Sequence, residues 1–399
     1  MDENVKKSVY ELLEGIGEAL EHLQHTENEE LRQMVTAGRQ QVTAALDKAL
    51  GCVLDERIDA AAMPDEDWLI TAYRVMEQIE EPFKPQNMYD REFQQLLDYI
   101  WAHSRRELVL KMKDNLLKLK KTSKANYNGF VDYFAQYHLW GTFDPQQDDY
   151  NTFELRAEVL KWHSYDFLWL YRRLEDYLSK RTLTAILRNW ALLDTDYLLK
   201  ITSIFSDYWE PDIFPGNNGD VLVDVGAYIG DSIYNYIKMY GHGYNKIYAY
   251  EISPESYKTL CNNVKAWRLH DVEARRKGVG AASGELFVAA NSDDPSANQL
   301  QRQGSDQQRV EVVPLDEDID DKVTFLKMDI EGAEQDALLG CSRIIREQKP
   351  NLAICTYHGY EDIWKIPTLI DNMCPDYHFY MRHYGGNLIP TEFVLLAKA

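Results

Sequence analysis

Val221-Leu222-Val223-Asp224-Val225-Gly226-Ala227-Tyr228-Ile229-Gly230-Asp231-Ser232 is the stretch whose reading decides the fold. Val221–Val225 is a short apolar run that ends in glycine, and Ile233–Tyr240 behind it has helical periodicity. A strand, a glycine turn and a helix N-terminus together make a nucleotide-class cofactor site. Ile247–Tyr250, Thr324–Met328 and Leu352–Tyr357 repeat the strand signal, and Glu255–Ala266, Ala333–Arg346 and Ile363–Met373 read as the helices between and after them. Apolar runs buried on both faces and joined by helices predict a doubly wound parallel sheet. Tyr377–Met381 and Phe393–Ala397 flank a Gly385-Gly386-Asn387 turn, a hairpin that makes the last strand antiparallel.

Upstream, Pro215, Gly216, Asn217, Asn218 and Gly219 form a turn cluster that marks a domain boundary. A chain of 399 residues predicts two domains. The reading divides it into an all-α N-terminal region at 1–125, an aromatic-rich helical segment at 126–218, and an α/β domain at 219–399. Val9, Leu12, Leu13, Ile16, Ala19, Leu20 and Leu23 share one helical face, and Leu31 to Leu50 continue the pattern. Glu92 to Lys121 reads as one long helix, whose lysines and arginines are taken as a solvated face. The aromatic residues between Phe130 and Trp190 are taken as core filling rather than stacking platforms.

Sixty-five acidic against 43 basic residues give a net charge of −22. Such a surface repels phosphate backbones, so general binding to nucleic acid or anionic membranes is not expected without a local basic patch. No apolar run approaches the roughly 20 residues that span a bilayer. Met1 to Tyr10 lacks the apolar core of a secretory signal, so the expected location is the cytosol. Cys52, Cys261, Cys341, Cys355 and Cys374 are scattered without a C-x-x-C pair, which predicts reduced thiols rather than a zinc site or a disulfide framework.

The glycine loop then selects the cofactor. A dinucleotide fingerprint counted from Gly226 requires glycine where Tyr228 and Asp231 stand. Tyrosine blocks the backbone's approach to a pyrophosphate, and Asp224 and Asp231 would repel one. A cationic cofactor without phosphate suits this loop, and S-adenosylmethionine has that character. Glu251 closes the second strand, where an acid accepts the ribose hydroxyls.

These residues resemble the FkbM family of S-adenosylmethionine-dependent methyltransferases. The resemblance is carried by Val223 to Asp231, Tyr250-Glu251, Leu315-Asp316 and above all by Phe325-Leu326-Lys327-Met328-Asp329-Ile330-Glu331-Gly332-Ala333-Glu334. It covers the chain from Asp220 to about Ala399. It implies the class I methyltransferase fold, a Rossmann-like seven-stranded sheet with an antiparallel last strand. It also implies methyl transfer to a hydroxyl on a glycan, sugar or secondary-metabolite acceptor. By the same resemblance Asp224, Gly226 and Gly230 hold the methionine end, Glu251 the ribose, and the Gly278-Val279-Gly280 turn lies near the adenine. Asp224, Gly226, Ala227, Tyr228, Gly230, Asp231, Ser232, Glu251, Gly280 and Asp329 make up the expected cofactor-contacting set.

Asp329, Glu331 and Glu334 crowd the end of the fourth strand. They could chelate Mg²⁺ or cap the following helix; capping is favoured for Glu334 and a site role for Asp329, with no metal expected. His358 and His383 follow later strands, and His358 is the expected general base, with Asp329 as its catalytic neighbour. His383 and Arg382 are expected acceptor contacts. Glu285–Ala289 and Val310–Pro314 read as a β-ribbon with Ser296, Asn298 and Gln299 near its tip. N-methylation, a catalytically silent cofactor-binding module and a nicotinamide dehydrogenase are the competing readings. The intact Asp224, Gly226, Gly230, Glu251 and Asp329 argue against the silent module, and Tyr228 and Asp231 against the dehydrogenase.

Overall fold

The computed structural model describes residues 1–137, 140–289, 299–301, 309–386 and 388–399. They form two compact units, one of residues 1–172 with 184–194 and the other of residues 173–183 with 195–399. The aromatic-rich segment read from the sequence as 126–218 therefore contributes to both.

The first unit is helical, with α1 (Glu3–Leu23), α2 (Glu29–Leu50), α3 (Leu54–Ile58), α4 (Asp65–Glu80), α5 (Met88–Ala102), α6 (Arg105–Thr122), α7 (Lys124–Gln136), α8 (Asn151–Trp162) and α9 (Ser164–Arg173), while α10 (Tyr177–Leu192) crosses from one unit to the other. The single helix expected over Glu92–Lys121 is two. Ser104 caps α6 through a reciprocal pair: its hydroxyl accepts from the Glu107 N–H and Glu107 accepts from the Ser104 N–H. Apolar spacing does not register so short a break; the capping box does. Phe130, Phe134, Phe143 and Phe153 are buried, with ring centroids 4.9 to 6.2 Å apart, so these aromatic residues fill a core. Among the described residues no helix is long and apolar enough to cross a membrane.

The second unit alternates strand and helix: β1 (Val221–Val225), α11 (Asp231–Tyr240), β2 (Lys246–Tyr250), α12 (Pro254–Ala266), β3 (Val272–Arg275), β4 (Lys277–Val279), β5 (Gly284–Ala289), β6 (Gln299–Gln301), β7 (Arg309–Val313), α13 (Leu315–Asp318), β8 (Phe325–Met328), α14 (Glu334–Leu339), β9 (Asn351–Cys355), α15 (Asp362–Met373), β10 (His378–His383) and β11 (Phe393–Lys398). Seven strands form one sheet in the order β10-β11-β9-β8-β1-β2-β3. β11 runs antiparallel to both β9 and β10, and the other adjacent pairs are parallel. This is the doubly wound sheet with an antiparallel last strand that the apolar runs and the terminal hairpin predict. Trp209, Phe214, Leu222, Ile247 and Phe325 belong to a core cluster beneath it.

A second sheet, β4-β7-β5-β6, holds the expected ribbon, with β5 antiparallel to β7. Residues 296 and 298 lie outside the described residues, and Gln299 opens β6. Two expectations fail here. Gly278–Gly280 is not a turn after the third strand, because β4 pairs in parallel with β7 in the second sheet. Nor does one helix run over Ala333–Arg346: α14 stops at Leu339 and a π-helical turn follows at Ile344–Gln348. A Cβ on Gly340 would stand 2.1 Å from the Gly280 carbonyl oxygen, so the two backbones meet there with no room for a side chain.

Candidate functional site

Parallel register brings the candidate residues together. Val225 at the end of β1 pairs with Tyr250 of β2 on one side and with Met328 of β8 on the other. Gly226, Glu251 and Asp329 therefore emerge side by side. β1 leads to β2 on one side while β8 and β9 lie on the other, and this switch point opens a crevice at the strand ends. Gly226 and Ala227 donate their N–H groups to the Tyr250 carbonyl at 3.0 and 2.9 Å, and the Asp329 N–H donates to the Val225 carbonyl at 3.0 Å.

The loop after β1 turns through left-handed conformations at Gly226 (φ 79°), Tyr228 (φ 45°) and Gly230 (φ 88°). A Cβ on Gly226 would stand 1.8 Å from the Asp329 carbonyl oxygen, so only glycine fits there. Tyr228 occupies a conformation that costs a non-glycine residue energy, a strain that collects at functional turns. Asp231 is exposed in the first turn of α11, where the helix dipole favours an acid. Ala227 and Ser232 are buried.

Asp224 does not reach the crevice. Its side chain is wholly buried, ion-paired to Lys327 at 3.0 Å and accepting a hydrogen bond from the Ser232 hydroxyl. Lys327 is its register partner on β8 and also donates to the Gly226 carbonyl at 2.7 Å. Burial disfavours the charged lysine, but Asp224 and Asp329 outweigh it and hold the ammonium in its charged form. The pair thus fixes the loop from behind. The methionine-end contact expected of the Asp224 side chain is precluded by this burial.

Glu251 is 7 % exposed and faces the loop. Its carboxylate accepts from the Tyr228 N–H at 2.8 Å and the Ser253 N–H at 2.7 Å. Burial pushes its pKa up to about 7, against the lowering effect of those two donors.

Asp329, Glu331 and Glu334 do not act alike. Glu334 is fully buried and accepts from the Ile330 N–H at 2.8 Å and the Gly332 N–H at 3.1 Å, closing the turn into α14 as a capping residue does. It also holds His358 Nδ1 at 2.9 Å. His358 Nε2 lies 3.3 Å from Asp329 Oδ1 and 3.7 Å from Glu331 Oε2. The other Asp329 oxygen accepts from the Tyr208 hydroxyl at 2.7 Å. Burial works against a charged His358 ring, but Glu334 and Asp329 outweigh it and hold its proton affinity well above the ordinary histidine value. Burial likewise opposes ionisation of Asp329, yet His358, Lys327 and Tyr208 keep its carboxyl well below the usual carboxylate range. A ring held as a cation takes no proton from a hydroxyl. The expected base is thus, in this arrangement, an ion-pair partner of Asp329.

Arg382 and His383 do not face the crevice. Arg382 forks onto Asp176 and Ser179, and His383 is fully buried with Nδ1 3.4 Å from the Thr202 hydroxyl. Gly280 is buried as well, and a Cβ there would meet Asp336 at 2.8 Å and Val312 at 3.0 Å.

Residues 224–386 match the profile of the methyltransferase FkbM domain. The C-terminal domain is a methyltransferase FkbM domain. Its fold is also that of the crystal structure of methyltransferase FkbM from Methylobacillus flagellatus, with 26% identity and a TM-score of 0.52 over 60% of each chain. The chain thus spans 60% of the length of that relative. An rRNA methylase from Streptococcus thermophilus (12% identity, TM-score 0.30, 52% of this chain and 94% of that one) and a SAM-dependent methyltransferase from Aquifex aeolicus (15%, 0.27, 56% and 97%) are more distant structural matches. No curated protein matches the chain.

Sequence reasoning missed four residues around the FkbM domain's crevice. Lys327 had a signal: it is the lone base in the apolar β8, as Asp224 is the lone acid in β1, and buried charges occur in pairs. Tyr208, Asp207 and Glu392 carried none. Tyr208 is buried against Asp329, and Asp207 and Glu392 have carboxyl pKa values raised by burial and by Asp329, with Glu392 at about 7. They arrive from the segment before β1 and the connection into β11.

Proposed function

We propose that this chain is an S-adenosylmethionine-dependent methyltransferase that methylates an acceptor hydroxyl on a glycan, sugar or small secondary metabolite. The observation that carries the reading is the glycine cradle at Gly226 and Gly230 with Glu251 opposite it at the switch point. The residues fit a cationic nucleoside without phosphate: Gly226 turns where only glycine fits, Glu251 faces the loop, and Tyr228 and Asp231 stand where a dinucleotide loop has glycine. When bound, S-adenosylmethionine supplies a methyl group on a cationic sulfur, and its transfer to oxygen leaves S-adenosylhomocysteine and a proton.

In this reading Glu251 accepts the ribose hydroxyls and the Asp224–Lys327 pair keeps the loop in place. Asp329, whose side chain is 22% exposed, orients the acceptor hydroxyl by accepting its hydrogen bond. His358 lies behind it and positions the carboxylate.

Calorimetry with S-adenosylmethionine, S-adenosylhomocysteine and NAD tests the cofactor; preferential NAD binding would overturn the assignment. Incubation with labelled S-adenosylmethionine and fractionated glycans and metabolites, followed by mass spectrometry, tests the acceptor. Label on nitrogen would replace hydroxyl by amine, and cofactor binding without any transfer would leave a silent module.

A further inference from the structure

We propose that Asp329, Glu331 and His358 form a binding site for a first-row divalent cation, Mn²⁺ being the probe of choice. One ligand atom from each of the three lies within 4.8 Å of the others. Cis ligands of an octahedral ion with bonds of about 2.1 Å stand about 3 Å apart. The observed separations from His358 Nε2, 3.3 Å to Asp329 and 3.7 Å to Glu331, would have to close by about 0.3 and about 0.7 Å.

The histidine is what separates this group from an ordinary acidic cluster. Its side chain is 1% exposed, and Nε2 makes no hydrogen bond although it faces two carboxylates. Asp329 Oδ1, opposite it, is buried and has no hydrogen-bond donor either. The two atoms meet as an ion pair at 3.3 Å without a well-formed hydrogen bond, and a cation that displaced the Nε2 proton would take both as ligands. The far side of the ring is already committed. Glu334 holds Nδ1 at 2.9 Å, the carboxylate–histidine arrangement that fixes the ring's orientation, so an ion arriving at Nε2 would displace only that nitrogen's proton. The same Glu334 carboxylate accepts from Ile330 and Gly332, the residues on either side of Glu331. One buried acid therefore sets two of the three ligands.

The donor set names the class of ion. Two carboxylates suit Mg²⁺, Ca²⁺ and Mn²⁺, while imidazole favours transition metals over the first two, so Mn²⁺ or Fe²⁺ satisfies both. Sequence alone argues against a metal because no histidine stands near the acids. His358 arrives from the end of β9, beside β8 in the sheet. The role of the ion rests on the methyltransferase reading: with Asp329 and Glu331 partly exposed, it would face the crevice and lower the pKa of a hydroxyl bound to it.

The test uses the full chain, stripped with EDTA and titrated with Mn²⁺ while electron paramagnetic resonance counts the free ion. One bound equivalent is expected. Glu331→Gln and His358→Gln should each weaken binding at least about tenfold, and Glu334→Gln, which leaves all three ligands in place, roughly 10- to 100-fold. Absence of a saturable equivalent, or unchanged affinity in Glu331→Gln, overturns the proposal. Circular dichroism checks each variant, and Glu331→Gln, whose side chain is partly exposed, decides if His358→Gln fails to fold. Calorimetry with S-adenosylmethionine on the same samples separates the two ideas. Mn²⁺ binding without cofactor binding sinks the methyltransferase reading alone, and the reverse sinks the metal site alone.

Discussion

Glu251→Gln isolates the contact on which the proposed cofactor recognition depends. In the ligand-free protein burial pushes this carboxyl up to about 7, although it accepts two backbone N–H groups. Ribose hydroxyls donate to the ionised form, so binding pulls the pKa down and affinity must rise with pH. With half-ionisation near 7, the ionised fraction grows about tenfold between pH ~6 and ~8, equivalent to about 1.4 kcal/mol. At pH ~8 the variant should bind S-adenosylmethionine about 1.5–3 kcal/mol more weakly, the scale for lost hydrogen bonds to a charged group. The amide also presents an N–H₂ group to one of two backbone donors. At pH ~6 the gap should shrink by about 1.4 kcal/mol, because most of the wild-type carboxyl is then protonated. Stability of the ligand-free protein should move the other way. A carboxyl whose folded pKa exceeds its unfolded value of 4.5 stabilises fully at low pH and loses that contribution as pH rises through about 7. Wild type should lose up to about 3 kcal/mol over that window relative to Glu251→Gln. Calorimetry across pH and urea unfolding of the two proteins measure both effects. Equal affinities with parallel pH profiles would place the ribose partner elsewhere.

Gly226→Ala forces a Cβ to 1.8 Å from the Asp329 carbonyl oxygen at a φ of 79°. Left-handed geometry alone costs a non-glycine residue about 1–2 kcal/mol, and β1 and β8 must also part, so thermal unfolding should report a loss above about 3 kcal/mol together with loss of cofactor binding. Lys327→Met strands Asp224 in the core and should cost roughly 3–5 kcal/mol, most of it recovered in the Asp224→Asn, Lys327→Met double variant; a double variant as unstable as the single one would refute the pairing argument. His358→Asn should lower kcat by about 10²-fold through misplacement of Asp329, with the Kd for S-adenosylmethionine unchanged. Unaltered turnover in a folded variant would remove this histidine from the site.

The sequence by itself determined the sheet. Apolar runs such as Val221–Val225 and Leu352–Tyr357 are buried on both faces wherever they sit, and a Gly-Gly turn between two of them admits a hairpin, so strand identity and the antiparallel end were local facts. The glycine loop and Glu251 were legible for the same reason: φ near +80° and an acid at a strand end are written in single residues. Other features depended on which strands lie side by side. Asp224 and Lys327 are 103 positions apart and meet only because β1 and β8 are neighbours in register. His358 reaches Asp329 only because β9 flanks β8. Once it does, the carboxylates around it decide its charge, and no reading of one residue type could have supplied that. The helix breaks at Ser104 and Gly340 divide in the same way. The first was visible in a local capping box, whereas at the second only the tertiary structure shows that the Gly280 backbone passes 2.1 Å from where a Gly340 side chain would begin.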